Sequence, residues 1–127
     1  MEKQIMLDTN FLVAPFQMSV SVFDEIENLY PEAEVYTLED VIQEAKSIEE
    51  GKYCDLVEQL IENQEIEVLK TEGSGEVDDL LVELCDEFLV ATNDKELKKR
   101  IKQRGRPVMI VRGKNYLEVE NDEAGKL

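Results

Sequence analysis

Short apolar runs alternate with stretches of helical period along almost the whole chain, and that alternation is the strongest constraint on its fold. Ile5-Met6-Leu7 is an apolar run stopped by the polar turn Asp8-Thr9-Asn10. From Phe11 to about Tyr30, Val22, Phe23, Ile26 and Leu29 fall at helical spacing, Pro31 ends the segment, and Pro15 is expected to divide it into two short helices. Residues 33–37 read as a second strand, with Thr37 capping the next helix and Asp40 at the third position in capping-box style. That helix carries Val41, Ile42, Ala45 and Ile48 and closes at Gly51, and another places Tyr53, Leu56, Val57, Leu60 and Ile61 on one face. Residues 65–70 form a third strand, and residues 71–75 a glycine-containing loop. Val77, Leu80, Leu81, Leu84 and Cys85 mark the clearest helix, followed by a fourth strand over 88–92. Asn93 is expected to cap a helix with Glu96 three residues on, Leu97 and Ile101 supply its apolar stripe, Gly105 stops it, and 107–111 is a fifth strand. Five strands separated by helices define an α/β layer with a mostly parallel sheet. Ligands in such sheets bind beyond the carboxyl ends of the strands, near the switch in strand order. No repeat or linker interrupts the pattern, so residues 1–127 read as one domain with a polar tail from about 121.

Composition narrows the chemistry. The chain has no histidine, which removes His general bases, Ser-His and Cys-His nucleophile pairs and His-ligated zinc. Two cysteines, Cys54 and Cys85, cannot close a structural zinc site without it, and they read as reduced thiols of a cytoplasmic protein. The apolar runs are too short to cross a bilayer, and Met1-Glu2-Lys3-Gln4 lacks the character of a signal peptide, so no membrane association is expected. Catalysis would have to rest on carboxylates, which favour hard cations such as Mg²⁺ or Mn²⁺.

The formal net charge of −16 conceals a division. Residues 1–94 carry 4 basic and 25 acidic side chains, and residues 95–127 carry 10 basic and 5 acidic ones. Lys98, Lys99, Arg100, Lys102, Arg104, Arg106, Arg112 and Lys114 are therefore candidates for phosphate contacts, although on a helix they cannot all face one way. A solvated helix face is the plain alternative. No basic and aromatic residues interleave as a base-stacking platform would require.

Four carboxylates fall near one edge of the expected sheet. Asp8 follows the first strand, Glu44 lies two turns into the helix after the second, Asp78 starts the helix before the fourth, and Asp94 follows the fourth. Each alone is as readily a helix cap, a first-turn acid or a solvated side chain.

Together, four blocks resemble the PIN-domain nucleases: Ile5-Met6-Leu7-Asp8-Thr9-Asn10, Val41-Ile42-Gln43-Glu44-Ala45, Val77-Asp78-Asp79-Leu80-Leu81-Val82 and Val90-Ala91-Thr92-Asn93-Asp94-Lys95-Glu96-Leu97. They occur in the family's order and span nearly the entire chain, and residues 91–111 look most like archaeal PIN proteins and the branch that processes small-subunit ribosomal RNA. The resemblance implies a three-layer sandwich, with a central parallel five-stranded sheet and helices on both faces. It also implies an acidic pocket that uses Mg²⁺ or Mn²⁺, one ion or two, to hydrolyse single-stranded RNA endonucleolytically. Asp8, Glu44, Asp78 and Asp94 match the family's acidic positions. Asp8, Asp78 and Asp94 are taken as metal ligands, and Glu44 as a base or an orienter of water. Asn10 and Thr92 match its supporting polar residues, and Asp79 is a further supporting candidate beside Asp78. Asn93 is either a further group supporting the pocket or only a helix cap, and the cap is the favoured reading. Implied partners are RNA, an antitoxin protein of the VapC kind or a ribosomal precursor, and a second copy in a homodimer. Apolar residues within 16–23 and 53–61 could form the dimer face, although core packing is the plainer reading for each.

A catalytically silent PIN-like module that binds RNA or protein is the alternative, and retention of all four acids counts against it. A receiver-like phospho-acceptor domain would need an Asp after the third strand and a Lys after the fifth. Lys70-Thr71 and Arg112-Gly113 stand there instead.

Overall fold

The computed structural model describes residues 3–71 and 75–120. The strands are β1 (Gln4–Leu7), β2 (Glu34–Leu38), β3 (Glu67–Leu69), β4 (Leu89–Ala91), β5 (Val108–Arg112) and β6 (Tyr116–Glu120). The helices are α1 (Thr9–Gln17), α2 (Val22–Leu29), α3 (Glu39–Ser47), α4 (Cys54–Asn63), α5 (Val77–Leu84) and α6 (Lys95–Gln103), with a 3-10 turn at Ile48–Gly51. The sheet order is β3-β2-β1-β4-β5-β6. All neighbours pair in parallel except β5 and β6. Helices cover both faces, with α1, α3 and α4 packed together and α5 packed on α6.

Sequence character follows position in the sheet. Ile5, Met6, Leu7, Val90 and Ala91 lie on central strands covered on both sides and are fully buried, which is why they read as continuous apolar runs. Edge strand β3 instead leaves Glu67 and Val68 exposed. The five expected strands are all present and mutually parallel. A sixth, β6, adds an antiparallel edge. Gly113 and Lys114 take left-handed φ values of 62° and 64°, the geometry of a tight hairpin, and return the chain along β5. Its period-two signal, Leu117 and Val119 between Glu118 and Glu120, is short and easily passed over as tail.

Two local expectations are corrected. Pro15 does not divide the first helical region, for it sits inside α1. The helix continues around it to Gln17 and ends where Met18 becomes extended, its N–H still bonded to Ala14 O at 2.9 Å, so the break falls at 18–21. A proline near a helix end forfeits only one bond, which packing of Phe11, Leu12 and Val13 in the core outweighs. Thr37 is not a helix cap either. β2 runs on to Leu38, and the fully buried Thr37 hydroxyl donates to Leu7 O at 2.9 Å, tying β2 to β1 within the sheet. The expected loop over 71–75 lies in part, and the tail from 121 wholly, outside the described residues.

Cys54 and Cys85 are free thiols. Phe16 stacks on Tyr53 within the chain, Tyr53 and Val57 are buried, and Phe23, Leu60 and Ile61 pack against the core, leaving Leu56 as the exposed apolar residue of the candidate dimer faces. No helix among the described residues is long and apolar enough to cross a membrane.

Candidate active site

The order of the strands reverses between β1 and β4, since the chain builds outward from β1 through β2 to β3 and then returns to the other side of β1. This is the crevice where doubly wound sheets take their ligands. Both strands end there on acidic turns. A cavity of about 260 Å³ opens at that edge, lined by Asp8, Thr9, Asn10, Val13, Gln17, Glu44, Ile48, Asp78 and Asp94. The four carboxylates, separated by up to 86 positions in the chain, thus share one cavity.

Asp8 is the best-fixed of the four. It is the N-cap of α1 and is buried, with Oδ1 accepting from Thr9 N–H at 2.7 Å and Oδ2 from the Thr92 hydroxyl at 2.6 Å. Burial pushes its carboxyl above the ordinary value of 3.8, against the pull of those two bonds, and the charges of Asp78 and Glu44 push the same way. Asp94 is the N-cap of α6, with Oδ1 accepting from Leu97 N–H at 2.9 Å, while its own N–H donates to Thr92 Oγ1 at 3.1 Å. Thr92, fully buried, therefore joins the two strand-end acids through one hydroxyl. Asp78 lies in the first turn of α5, and partial burial and then the Asp94 charge raise its carboxyl, with Arg100 opposing. Glu44 reaches the cavity from the solvent-exposed side of α3.

Asn10 also lines the cavity and accepts from Asn93 N–H at 3.1 Å through Oδ1. Asp79 stands apart, outside the lining residues and ion-paired with Arg100 at 2.7 Å. The expectation that Asn93 caps α6 is corrected. Asp94 occupies that position, and the Asn93 side chain instead bonds the backbone of Val111, accepting from its N–H at 2.8 Å and donating to its carbonyl at 3.1 Å. The helix starts one residue later than expected because α6 needs a cap whose side chain faces its own first turn, while Asn93 still faces β5.

The donors around the cavity are all hard oxygens, and they suit a divalent cation. Burial, and after it the neighbouring negative charges, raise two of the carboxyls, and the Thr9 hydroxyl, buried at the wall, has no hydrogen-bond partner among the described residues. Among the described residues no three acidic side chains stand close enough to hold one ion directly as placed. The residues fit such an ion in chemistry and in location, with water or small side-chain movements completing its shell.

The cationic segment divides in two. Arg100 pairs with Asp79, Lys102 with Glu120, Arg104 and Arg106 with Asp86, and Arg112 with Glu118 and Glu120. Arg106 also donates to the carbonyls of Cys85 and Asp86. These pairs fasten α6, the turn after it and β5 to α5, the turn following α5 and β6. Lys95, Lys98, Lys99 and Lys102 line a shallow groove at i, i+3, i+4 and i+7, and the first three of them form no ion pair with the described residues. Lys95, not among the sequence-based candidates, belongs to this row and immediately follows Asp94. The Lys114 side chain lies beyond β5, in the hairpin turn.

A doubly wound α/β domain with an acidic cavity at its switch point is what fold and site define together. The family described as PIN like domain matches residues 5–114, and the chain belongs to it. It is 30% identical to Ribonuclease VapC4 of Methanocaldococcus jannaschii over 125 residues, covering 91% of this chain and 95% of that protein. Its fold is that of the PIN domain endonuclease Utp24, with a TM-score of 0.77 and 24% identity over 93% of this chain and 91% of that one.

Proposed function

We propose that the protein is a metal-dependent endoribonuclease that hydrolyses RNA phosphodiester bonds at the cavity of Asp8, Glu44, Asp78 and Asp94. The observation that carries this reading is the convergence of those four carboxylates on one cavity at the strand-order switch. Membership of the PIN-like family supports nuclease activity in general, and the ribonuclease name of the 30% identical relative supports RNA as substrate.

Asp8, Asp78 and Asp94 would hold Mg²⁺ or Mn²⁺, directly or through water. When bound, such an ion supplies Lewis acidity toward a phosphoryl oxygen and lowers the pKa of water. Thr92 and the Thr9 N–H hold Asp8 in one orientation, so this ligand is placed before any cation arrives. Glu44, exposed on α3 at the cavity, would take the proton of the attacking water at its carboxylate. Lys95, Lys98 and Lys99 would grip the backbone of the strand beside the cavity, while the paired arginines hold α6 in place. Lys114 would add a contact at the hairpin. The acidity of the remaining surface would confine the polyanion to this path.

A non-catalytic binding module is favoured by one observation, the lack of a ready three-acid group among the described residues. Thermal unfolding with Mn²⁺ separates the two. Mn²⁺ at 100 times its Kd should stabilise the wild type by about 2.7 kcal/mol. Asp94→Asn should lose that shift together with Mn²⁺-dependent cleavage of end-labelled single-stranded RNA. A wild type with neither shift nor cleavage would be a binding module. The setting is then read from the genome and the cell: an adjacent small antitoxin gene marks a toxin, and impaired rRNA maturation on depletion marks a processing enzyme.

A further inference from the structure

Parallel pairing of β4 with β5 ends at Ala91 and Met109, with one further bond from Thr92 N–H to Met109 O at 2.9 Å. β5 continues through Val111, which is buried and whose N–H and C=O point toward the β4 side, where no strand remains. Two buried backbone groups left without partners would destabilise this edge of the sheet. The Asn93 side chain meets both, with Oδ1 on the N–H and Nδ2 on the carbonyl, so its amide stands in for the peptide group of the next rung. The Asn93 N–H is meanwhile held by Asn10 Oδ1 in the first turn of α1. One residue thus fastens the β4–α6 junction to β5 on one side and to α1 on the other, immediately before Asp94. Asn93 itself does not line the cavity.

We propose that Asn93 is a positioning residue of the site: by completing the β4–β5 ladder and bonding α1, it sets where Asp94 stands relative to Asp8 across the switch point. The role rests on the metal-site reading above and acts through Asp94 alone. Asparagine is the side chain this requires. Aspartate has the acceptor but not the donor, and alanine offers neither.

The test compares Asn93→Asp, Asn93→Ala and, as a control for lost stability alone, Ile66→Ala, a buried residue just before β3 at the far edge of the sheet. Each folded protein is titrated with Mn²⁺ well below its melting transition, and amide hydrogen exchange is followed in metal-free buffer. Asn93→Asp adds a negative charge, so electrostatics alone would tighten Mn²⁺ binding. Displacement of Asp94 should instead weaken it by about 10-fold or more in both Asn93 variants, the usual scale for groups that orient a ligand. Ile66→Ala should melt lower and bind as the wild type does. In the metal-free protein the Val111 amide should exchange about 10-fold faster in Asn93→Ala, which has no acceptor for it, and the Asp94 and Leu97 amides in both Asn93 variants, with the rest of the sheet unchanged. Wild-type Mn²⁺ affinity in Asn93→Ala, or unchanged protection of Asp94 and Leu97, overturns the proposal. Absence of Mn²⁺ binding in the wild type defeats the nuclease reading instead, and the exchange data then decide whether the clamp exists.

Discussion

Replacing Thr92 by Val removes one oxygen from a fully buried position and leaves the shape of the side chain nearly intact. Two bonds go with it. The hydroxyl's bond to the Asp8 carboxylate, 2.6 Å long, is of the kind that contributes about 1.5–3 kcal/mol, and the acceptor for Asp94 N–H adds about 0.5–1.5 kcal/mol. A total near 3 kcal/mol is expected at neutral pH, which for a domain of this size lowers Tm by about 12 °C. The pH dependence carries the stronger test. Burial already holds the folded Asp8 carboxyl above 3.8, and the Thr92 bond works against that rise, so Thr92→Val should push it higher still. An acid raised in the folded state favours folding below its ordinary value and withdraws that contribution as pH climbs through its folded value. The variant should therefore lose most at neutral pH and less on acidification toward 3.8, since protonation of Asp8 leaves the wild type a neutral bond of roughly half the strength. Urea unfolding of both proteins in chelator at the two pH values measures this. A loss under about 1 kcal/mol at neutral pH, or equal losses at both, would refute the claim that this hydroxyl supports an ionised, buried Asp8.

Asp78→Asn should make the metal-free protein more heat-stable at neutral pH, because burial and the Asp94 charge raise the Asp78 carboxyl and its ionisation then opposes folding. The gain should fade on acidification toward 3.8, and a loss of stability at neutral pH would contradict it. In salt-dependent binding of single-stranded RNA, the Lys98→Gln, Lys99→Gln double variant should reduce the slope of log affinity against log salt by about 1.4, at roughly 0.7 per phosphate contact. Arg104→Gln should leave that slope unchanged and lower Tm slightly, since Arg104 is engaged with Asp86. A slope that responds equally to both sets would reject the division of the basic segment.

Periodicity alone was enough for the layer architecture. Central β1 and β4 are apolar throughout because both faces are covered, and the stripes of α3, α5 and α6 recur at helical spacing because one side of each is buried. The candidate acids were legible for a related reason. Asp8 and Asp94 sit where an apolar strand ends, and the end of a strand is visible in the sequence as a change of polarity. Local chemistry was less legible wherever two positions offered the same residue type. Asn93 and Asp94 are both good caps, and only the direction of the chain leaving β4 aims Asp94 at α6 and Asn93 at Val111. Thr37 before an acidic turn reads as a cap until the sheet claims its hydroxyl for Leu7. The basic run posed the same difficulty on a larger scale. Eight cations in sequence are equivalent as charges, and their division into fasteners and a free lysine row depends on acids from α5, the turn after it and β6 that are brought near only by folding. Sequence by itself therefore determined the helices and five of the six strands described, and marked out the candidate acids, since both depend on side-chain polarity over short distances. Only tertiary structure decided which oxygens face each other, which charges are already neutralised and which amide completes the sheet, because those are properties of pairs far apart in the chain.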